Sequence, residues 1–298
     1  MRILTRLRDS GQMLLVVTVW GVNLTLVKLA LRELAPMPYN VLRLPLASLV
    51  LLVWFGIAEG DWRVEHRHWG RILLLSISGY TIYQYLFISG IAGTTASNTA
   101  ILFGTSPVLI SLLSSFFKQE RITWLGWTGI GLAFAGLYLV VAGRQGGFSL
   151  SASTWRGDLT VLTAVILWAH YSVSARPLLK VYSPLKFTTL TMSIGSLLFL
   201  PLGLPSLAKV DFPAVSWLTW GLLAFSGIMA LSVTLILWFD SVRRVGNSQT
   251  AVYSNLQPAI AVVFAHFVLG EALTLSLLGG AAIILLGIVL TRRGRQPG

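Results

Sequence analysis

Long apolar runs alternate with short polar connectors along the whole chain. A helix needs roughly 17–25 apolar residues to cross about 30 Å of hydrocarbon. The pattern gives ten such spans, at about 13–31, 38–57, 71–91, 96–116, 123–142, 157–176, 184–204, 215–238, 248–268 and 273–290. The period-two alternation of a membrane strand is missing, so the chain is expected to be an all-α integral membrane bundle and not a barrel. The connectors are too short to hold a domain outside the membrane. The run that starts at Met13 follows Arg2, Arg6 and Arg8, as a signal peptide would. It reaches about Leu31 without a small-residue cleavage site, so it is expected to be a retained first span.

The pattern repeats at half the chain length. The stretch Ala96–Thr123 returns at Asn247–Thr274 with an offset of 151 and no gap. Ser97 meets Ser248, Thr99 meets Thr250, Pro107 meets Pro258, Phe116 meets Phe267 and Glu120 meets Glu271. The register continues through Gly129 on Gly280 and Gly136 on Gly287. The first spans correspond more weakly: Trp20 to Lys28 lies over Trp168 to Arg176 at an offset of 148. The expected domains are therefore 1–143 and 144–298. Five spans per half is an odd number, so the halves should insert in opposite directions, as an inverted-topology repeat.

Composition strengthens the membrane reading. The chain is 55% hydrophobic and 11% charged, against about 25% charged in soluble domains. The net charge of +12 could suit nucleic acid or anionic lipid, but the basic residues flank the spans, so a lipid bilayer and no nucleic acid is expected. Sixteen Lys and Arg fall on the side of the N-terminus and five on the other. That bias predicts both termini in the cytoplasm. Cysteine is absent, which excludes disulfides and thiolate metal sites.

All ten acids, from Asp9 to Glu271, fall in connectors or within about a turn of a span end. Their absence from mid-membrane argues against a cation or metal site built from carboxylates, and against an intramembrane hydrolase. Glu120 and Glu271 are expected to end helices at the interface and bond a neighbouring helix end. Lys28, Arg43 and Arg176 are read as long basic side chains that snorkel, with a gate role open to Lys28 and Arg176.

Candidate site residues come from polar and aromatic positions inside spans. Tyr80, Tyr83, Gln84 and Phe87 share one helical face. Trp20 and Asn23 share a face, as do Trp168, Tyr171 and Ser172. Ser226, Met229 and Trp238 mark the eighth span, Tyr253, Asn255 and Gln257 the ninth, and Asn98 opens the fourth. They could line a substrate cavity, or act as interfacial aromatics and interhelical glue. Pro107 and Pro258, mid-helix at matched places, are expected to kink their helices and form hinges, with Gly104 and its match Asn255 close by. His170 near mid-depth could relay a proton or simply pack, and it lies off the Trp168–Tyr171 face. Gly126, Gly129, Gly131, Ala133 and Gly136 in the fifth span, and Gly279, Gly280 and Gly287 in the tenth, are expected to be helix seams or a dimer seam.

The paired small-polar–Pro–Glu segments and the Trp20 and Trp168 segments resemble the drug/metabolite transporter superfamily, in its ten-helix branch of two EamA-type repeats. Within it the chain looks most like exporters of aromatic amino acids. The resemblance implies a bacterial inner-membrane exporter of metabolites, often amino acids. It implies no enzyme and no cofactor. The chain departs from the small multidrug branch, understood to use an embedded glutamate. The expected function is export of aromatic and other neutral amino acids by alternating access, with a multidrug exporter, a membrane enzyme or a channel as alternatives. A monomer or weak dimer is expected.

Overall fold

The computed structural model describes residues 2–94, 99, 102–142, 154–257, 259–260, 263–264 and 275–296. Among the described residues the α-helical elements are, in chain order, α1 (Arg2–Ala30), α2 (Pro36–Ala58), α3 (His66–Ala92), α4 (Ser106–Phe116), α5 (Trp124–Ala142), α6 (Trp155–Ala175), α7 (Pro184–Leu207), α8 (Trp217–Val245), α9 (Asn247–Ala251) and α10 (Leu275–Arg293). The all-α expectation holds apart from one antiparallel pair of two residues each, β1 (Arg121–Ile122) with β2 (Arg295–Gln296). Among the described residues six helices (α1, α2, α3, α6, α7 and α8) are long and apolar enough to cross a membrane, and shorter apolar helices lie at Leu102–Phe116, Trp124–Leu139 and Leu278–Thr291.

Polarity is distributed as the bilayer demands. Leu49, Leu197 and Leu285 are exposed, while Ser48, Thr188, Ser196 and Ser241 are buried. Lipid tails are as apolar as leucine, so burying leucine gains little there; buried hydroxyls can return to their own helix backbone or bond a neighbour. Ser48 donates to Leu44 O at 2.9 Å, and Ser232 reaches Ala47 O on α2 at 3.1 Å.

Local chemistry sets the helix ends. Ser183 caps α7 by accepting from Lys186 N at 2.9 Å, and Ser216 caps α8 by accepting from Thr219 N at 3.2 Å. α8 runs well past its expected end at 238, because its charged last turn is paired. Asp240 meets Arg243 at 3.5 Å and also Arg244, and Gln12 donates to Leu237 O at 2.7 Å. Gly246, at φ +92°, then turns the chain sharply into α9, a backbone angle that side chains disfavour.

Successive helices cross the bundle, and contacts between their ends define two faces. One holds the α2–α3 and α6–α7 turns, where Lys186 donates to Asp61 at 3.0 Å and to Arg63 O at 2.6 Å. The same face carries β1 and β2, beside α1's contact with the end of α8. The opposite face holds Glu33 of the α1–α2 connector, which accepts from Ser216 N at 2.8 Å.

Two packing relations place the site. First, α5 and α10 lie against each other along their glycines. A Cβ on Gly129 would sit 2.7 Å from Gly287 O, and one on Gly136 would sit 2.6 Å from Gly280 O. Under the offset of 151 these two contacts exchange into one another. Second, α3 and α8 each widen into a π turn, at Ile77–Ile82 and Ser226–Val233. The Ser78–Gly79 and Ser226–Gly227 pairs stand 148 residues apart. α7 packs on the first π turn and α2 on the second.

Candidate functional site

The centre of the bundle is an aromatic cluster drawn from α1, α3, α6 and α8. The rings of Trp20 and Trp238 lie 5.2 Å apart, Trp168 and Trp238 5.6 Å, Trp20 and Trp168 5.9 Å, and Tyr83 and Trp168 5.7 Å. Phe87 extends the cluster from Tyr83 at 5.6 Å, and Phe103 follows it. The indoles are aimed by hydrogen bonds. Trp20 Nε1 donates to Ala230 O at 2.9 Å and to Thr234 Oγ1 at 2.8 Å. Trp238 Nε1 donates to Ser172 Oγ at 3.2 Å. The π turn of α8 supplies Ala230 to this arrangement, in keeping with the tendency of π turns to occur at functional sites.

Tyr80 and Tyr171 form a second, fully buried layer. Tyr171 donates to Tyr80 Oη at 3.1 Å and its hydroxyl lies 3.0 Å from Thr191 Oγ1. A Cβ on Gly79 would run into the Tyr171 ring at 2.5 Å. The glycine therefore opens the first π turn to this ring. Tyr171 also stacks on Phe187 at 5.9 Å and meets Phe239 edge-on at 5.3 Å, so this layer is packed core beneath the Trp cluster.

Beside the aromatics lies a polar cluster around Arg43, which is 2% exposed. Its Nη2 donates to Gln84 Oε1 at 2.9 Å and its Nη1 to Ser226 Oγ at 3.1 Å. The guanidinium also lies 5.2 Å over the Tyr39 ring. Asn40 Nδ2 donates to Gln84 O at 3.0 Å. Among the described residues no carboxylate pairs with Arg43. This corrects the snorkelling expectation: Arg43 is enclosed by α2, α3 and α8 and its head does not reach an interface. A lone arginine between apolar neighbours reads the same in sequence whether it snorkels or is enclosed, and only the packing of α2 on the α8 π turn separates the two.

The other expected residues divide. Gln84 is central, as described. Asn255 is buried at 1% exposure with neither side-chain polar atom partnered, and Asn23 has a buried, unpartnered Oδ1. Gln257 brings its backbone to α1: a Cβ on Gly21 would lie 3.0 Å from Gln257 O. Met229 sits half-buried in the α8 π turn. Tyr253 reaches Ser10 Oγ at 3.3 Å. That is ten residues from Trp20, about 15 Å along α1 at the helical rise, so Tyr253 ties the turn that follows α9 to α1 away from the cluster. His170 is half-buried beside the enclosed Ala169 and Tyr171, off the aromatic face as its sequence position indicates. Asn98 and Pro258 lie outside the described residues, as do Glu271 and His266.

Pro107 differs from expectation. It falls in the first turn of α4, after a break at Thr105, where a missing N–H is harmless. The break is real, but Pro107 starts a helix and does not kink one. Gly104 is a close-approach position: its Cβ would collide with Leu137 of α5. At the matched place in the second half, Val252–Leu256 tightens to a 3-10 turn. Irregular backbone thus recurs at the offset of 151.

Glu120 behaves as expected of a helix-end acid. Its carboxylate accepts from Asn247 N at 2.6 Å, Ser248 N at 3.1 Å and Ser248 Oγ at 2.5 Å, with Arg176 at 3.3 Å. Arg176 also donates to Gln119 O at 2.7 Å. The first half thereby holds the start of α9 and the end of α6 together on the face of the termini. On the opposite face lies a cavity of about 780 Å³, lined by Glu33, Met37, Pro38, Ser89, Lys209 and Asp211 among others. Met37 is one helical turn from Asn40, and Ser89 is five residues from Gln84.

The architecture matches that of known proteins. The model of the EamA-like transporter family matches residues 11–142 and again residues 155–293. The chain is 28% identical over 277 residues to the uncharacterized transporter YyaM of Bacillus subtilis (strain 168), covering 92% of this chain and 90% of that one. It is 27% identical over 282 residues to the probable terminal-alkyne amino-acid exporter of Streptantibioticus cattleyicolor, covering 94% and 92%. A solved crystal structure agrees in fold at a TM-score of 0.80 with 19% identity, over 95% of this chain and 96% of that one. With the family model matched twice along nearly all of its length, the chain belongs to the EamA-like transporter family.

Proposed function

We propose that this transporter exports neutral amino acids, aromatic ones among them, across a bacterial inner membrane. The observation that carries this is the enclosed aromatic cluster of Trp20, Tyr83, Trp168 and Trp238, which borders the polar group of Arg43, Asn40 and Gln84. Apolar rings suit a flat apolar side chain, and fixed donors suit the polar backbone of an amino acid. The similarity to a relative described as a probable amino-acid exporter points the same way.

The proposed mechanism is alternating access between halves 1–143 and 144–298, each a five-helix repeat inverted with respect to the other. Its hinges are the irregular segment at Gly104 and Pro107, and, in the second half, Pro258, which follows the irregular segment Val252–Leu256. The cavity beside Glu33 and Lys209 is the route on the outer face, and the Glu120–Arg176–Ser248 contacts close the cytoplasmic face. Substrate-contacting residues are Trp20, Asn23, Tyr83, Gln84, Trp168, Trp238 and Asn255. Both termini lie in the cytoplasm, and the working unit is a monomer or weak dimer.

The test is transport by purified protein in liposomes, with a panel of labelled amino acids and with or without a proton gradient. Accumulation of phenylalanine, tryptophan or other neutral amino acids, lost in Trp168→Ala, is expected. Failure of every amino acid, with charged dyes transported instead, would replace this reading by multidrug export.

A further inference from the structure

A buried cation without an acidic partner is unusual, because removing a charge from water is compensated only by opposite charge or a complete set of hydrogen bonds. Arg43 has neither. Its terminal nitrogens donate to two neutral acceptors, Gln84 Oε1 and Ser226 Oγ. Its Nε is buried without a partner, and so is Asn40 Oδ1 one helical turn away. The guanidinium carries further N–H groups that could donate to a planar, bidentate anion.

Two placements say what that anion belongs to. Ser226, which accepts from Arg43, and Ala230, which accepts from Trp20, are four residues apart on the π turn of α8. That is about 6 Å along a helix axis, comparable to the separation of carboxylate and ring in an aromatic amino acid. Gln84, which orients the guanidinium, directly follows Tyr83 of the aromatic cluster. The cavity on the outer face reaches Met37 and Pro38 of α2 and Ser89 of α3, about 9 Å along α2 from Arg43 at the helical rise. Anion group, ring group and entry route lie on the same helices.

We infer that Arg43 is the carboxylate-binding residue of this transporter, held by Gln84 and Ser226 so that an apolar substrate's carboxylate docks on the guanidinium while its side chain enters the Trp20–Trp168–Trp238 cluster. The inference deepens the proposed function and rests on it for the identity of the cluster as the substrate site. It adds a selection rule: the carboxylate is required, and the α-amino group is secondary.

The test uses the full-length protein in detergent and ligands that differ only at the carboxylate. Labelled 3-phenylpropionate is bound and displaced by unlabelled 3-phenylpropionate or by 3-phenylpropionamide. The acid is expected to compete about ten- to hundredfold better than the amide, the range for hydrogen bonds to a charged group. Arg43→Gln should bring that ratio close to one while leaving the weak affinity for the amide unchanged. Arg43→Lys, which keeps the charge but loses the planar fork, should fall between. A purely structural arginine would instead weaken acid and amide together. Equal competition by acid and amide in the wild type, no binding of the acid, or a preserved ratio in Arg43→Gln would each overturn the inference. If Arg43→Gln does not fold, the wild-type ratio and Arg43→Lys decide. Phenylalanine that fails to move in liposomes while the acid still binds over the amide would sink the amino-acid reading alone. Phenylalanine and phenylalaninamide transported equally would sink this inference alone.

Discussion

Trp20 is held at a defined angle because its indole N–H has two acceptors one turn apart, Ala230 O and Thr234 Oγ1. Trp20→Phe keeps an aromatic ring but frees it to rotate. The expected result is a several-fold rise in KM with a small stability loss, about 0.6 kcal/mol, the average for such a bond in a membrane protein. Tyr171→Phe should cost a similar amount and leave transport intact, because Tyr171 belongs to the packed layer below the cluster; a melting curve beside a transport assay distinguishes the two. Outside the membrane, the bonds Glu33 accepts from Ser216 and Thr219 hold its carboxyl below its ordinary value of 4.5. A depressed folded-state pKa adds stability that is present above about 4.5 and lost as pH falls further. The melting temperature should therefore decline below pH 4.5 more steeply in the wild type than in Glu33→Gln. Most of these residues were legible in the sequence as polar or aromatic positions at depth. Arg43 was not, because burial is decided by a neighbouring helix more than 180 residues away. The contact of Tyr253 with Ser10 was hidden for the same reason: helical spacing gives its face but not what that face meets.

The helices themselves were legible because hydrocarbon thickness fixes their length. Their irregularities were not. A π turn takes in about one residue more than the α turn it replaces, and neither Ile77–Ile82 nor Ser226–Val233 carries a composition that announces it. Removing one residue from either turn, for example Thr81, should restore a regular helix with both flanks still in register. Folding is expected to survive while transport is lost, whereas removing Leu74 from the regular part should prevent folding, as read by size-exclusion chromatography. The glycine seam offers a paired test. Gly129→Ala places a methyl against the backbone of α10 and should destroy the fold or greatly lower its melting temperature. Gly131→Ala meets nothing within 4 Å and should be neutral or slightly stabilising, because alanine is the better helix former by up to about 1 kcal/mol. Sequence counts both glycines alike; only the approach of α10 separates them.

At the scale of the molecule, the face of the termini is tied by Glu120, Arg176 and Ser248, while the opposite face holds the large cavity. Glu120→Ala removes the partner of two backbone N–H groups and one guanidinium across the two halves. The equilibrium should then shift toward a form open at the face of the termini. The chain has no cysteine, so a single Ser114→Cys, buried one turn inside that face, can be labelled by maleimide without background. Faster labelling in the Glu120→Ala background is the expected outcome; an unchanged rate would mean that these contacts cap helices without controlling access. The double match of one family model and the exchangeable glycine contacts were foreshadowed by the offset of 151. The division of labour between the two faces was not, since it depends on contacts between helix ends that spacing does not specify.

The offset of 148 places Arg43 opposite Thr191, Asn40 opposite Thr188 and Gln84 opposite Ser232. Thr191 bonds the hydroxyl of Tyr171 and Ser232 bonds Ala47 O, so neither supplies a second cation. The enclosed guanidinium of Arg43 thus has no basic counterpart at its matched position. Exchanging the halves would exchange the backbone shapes but not the charge. Substrate arriving from one compartment would meet the guanidinium end of the site first, and substrate arriving from the other would meet the ring end. If Arg43 binds substrate as proposed, the two directions of travel would therefore differ in their encounter rates and affinities even where the scaffold is close to symmetric. Direction would then be written in three side chains, not in the fold.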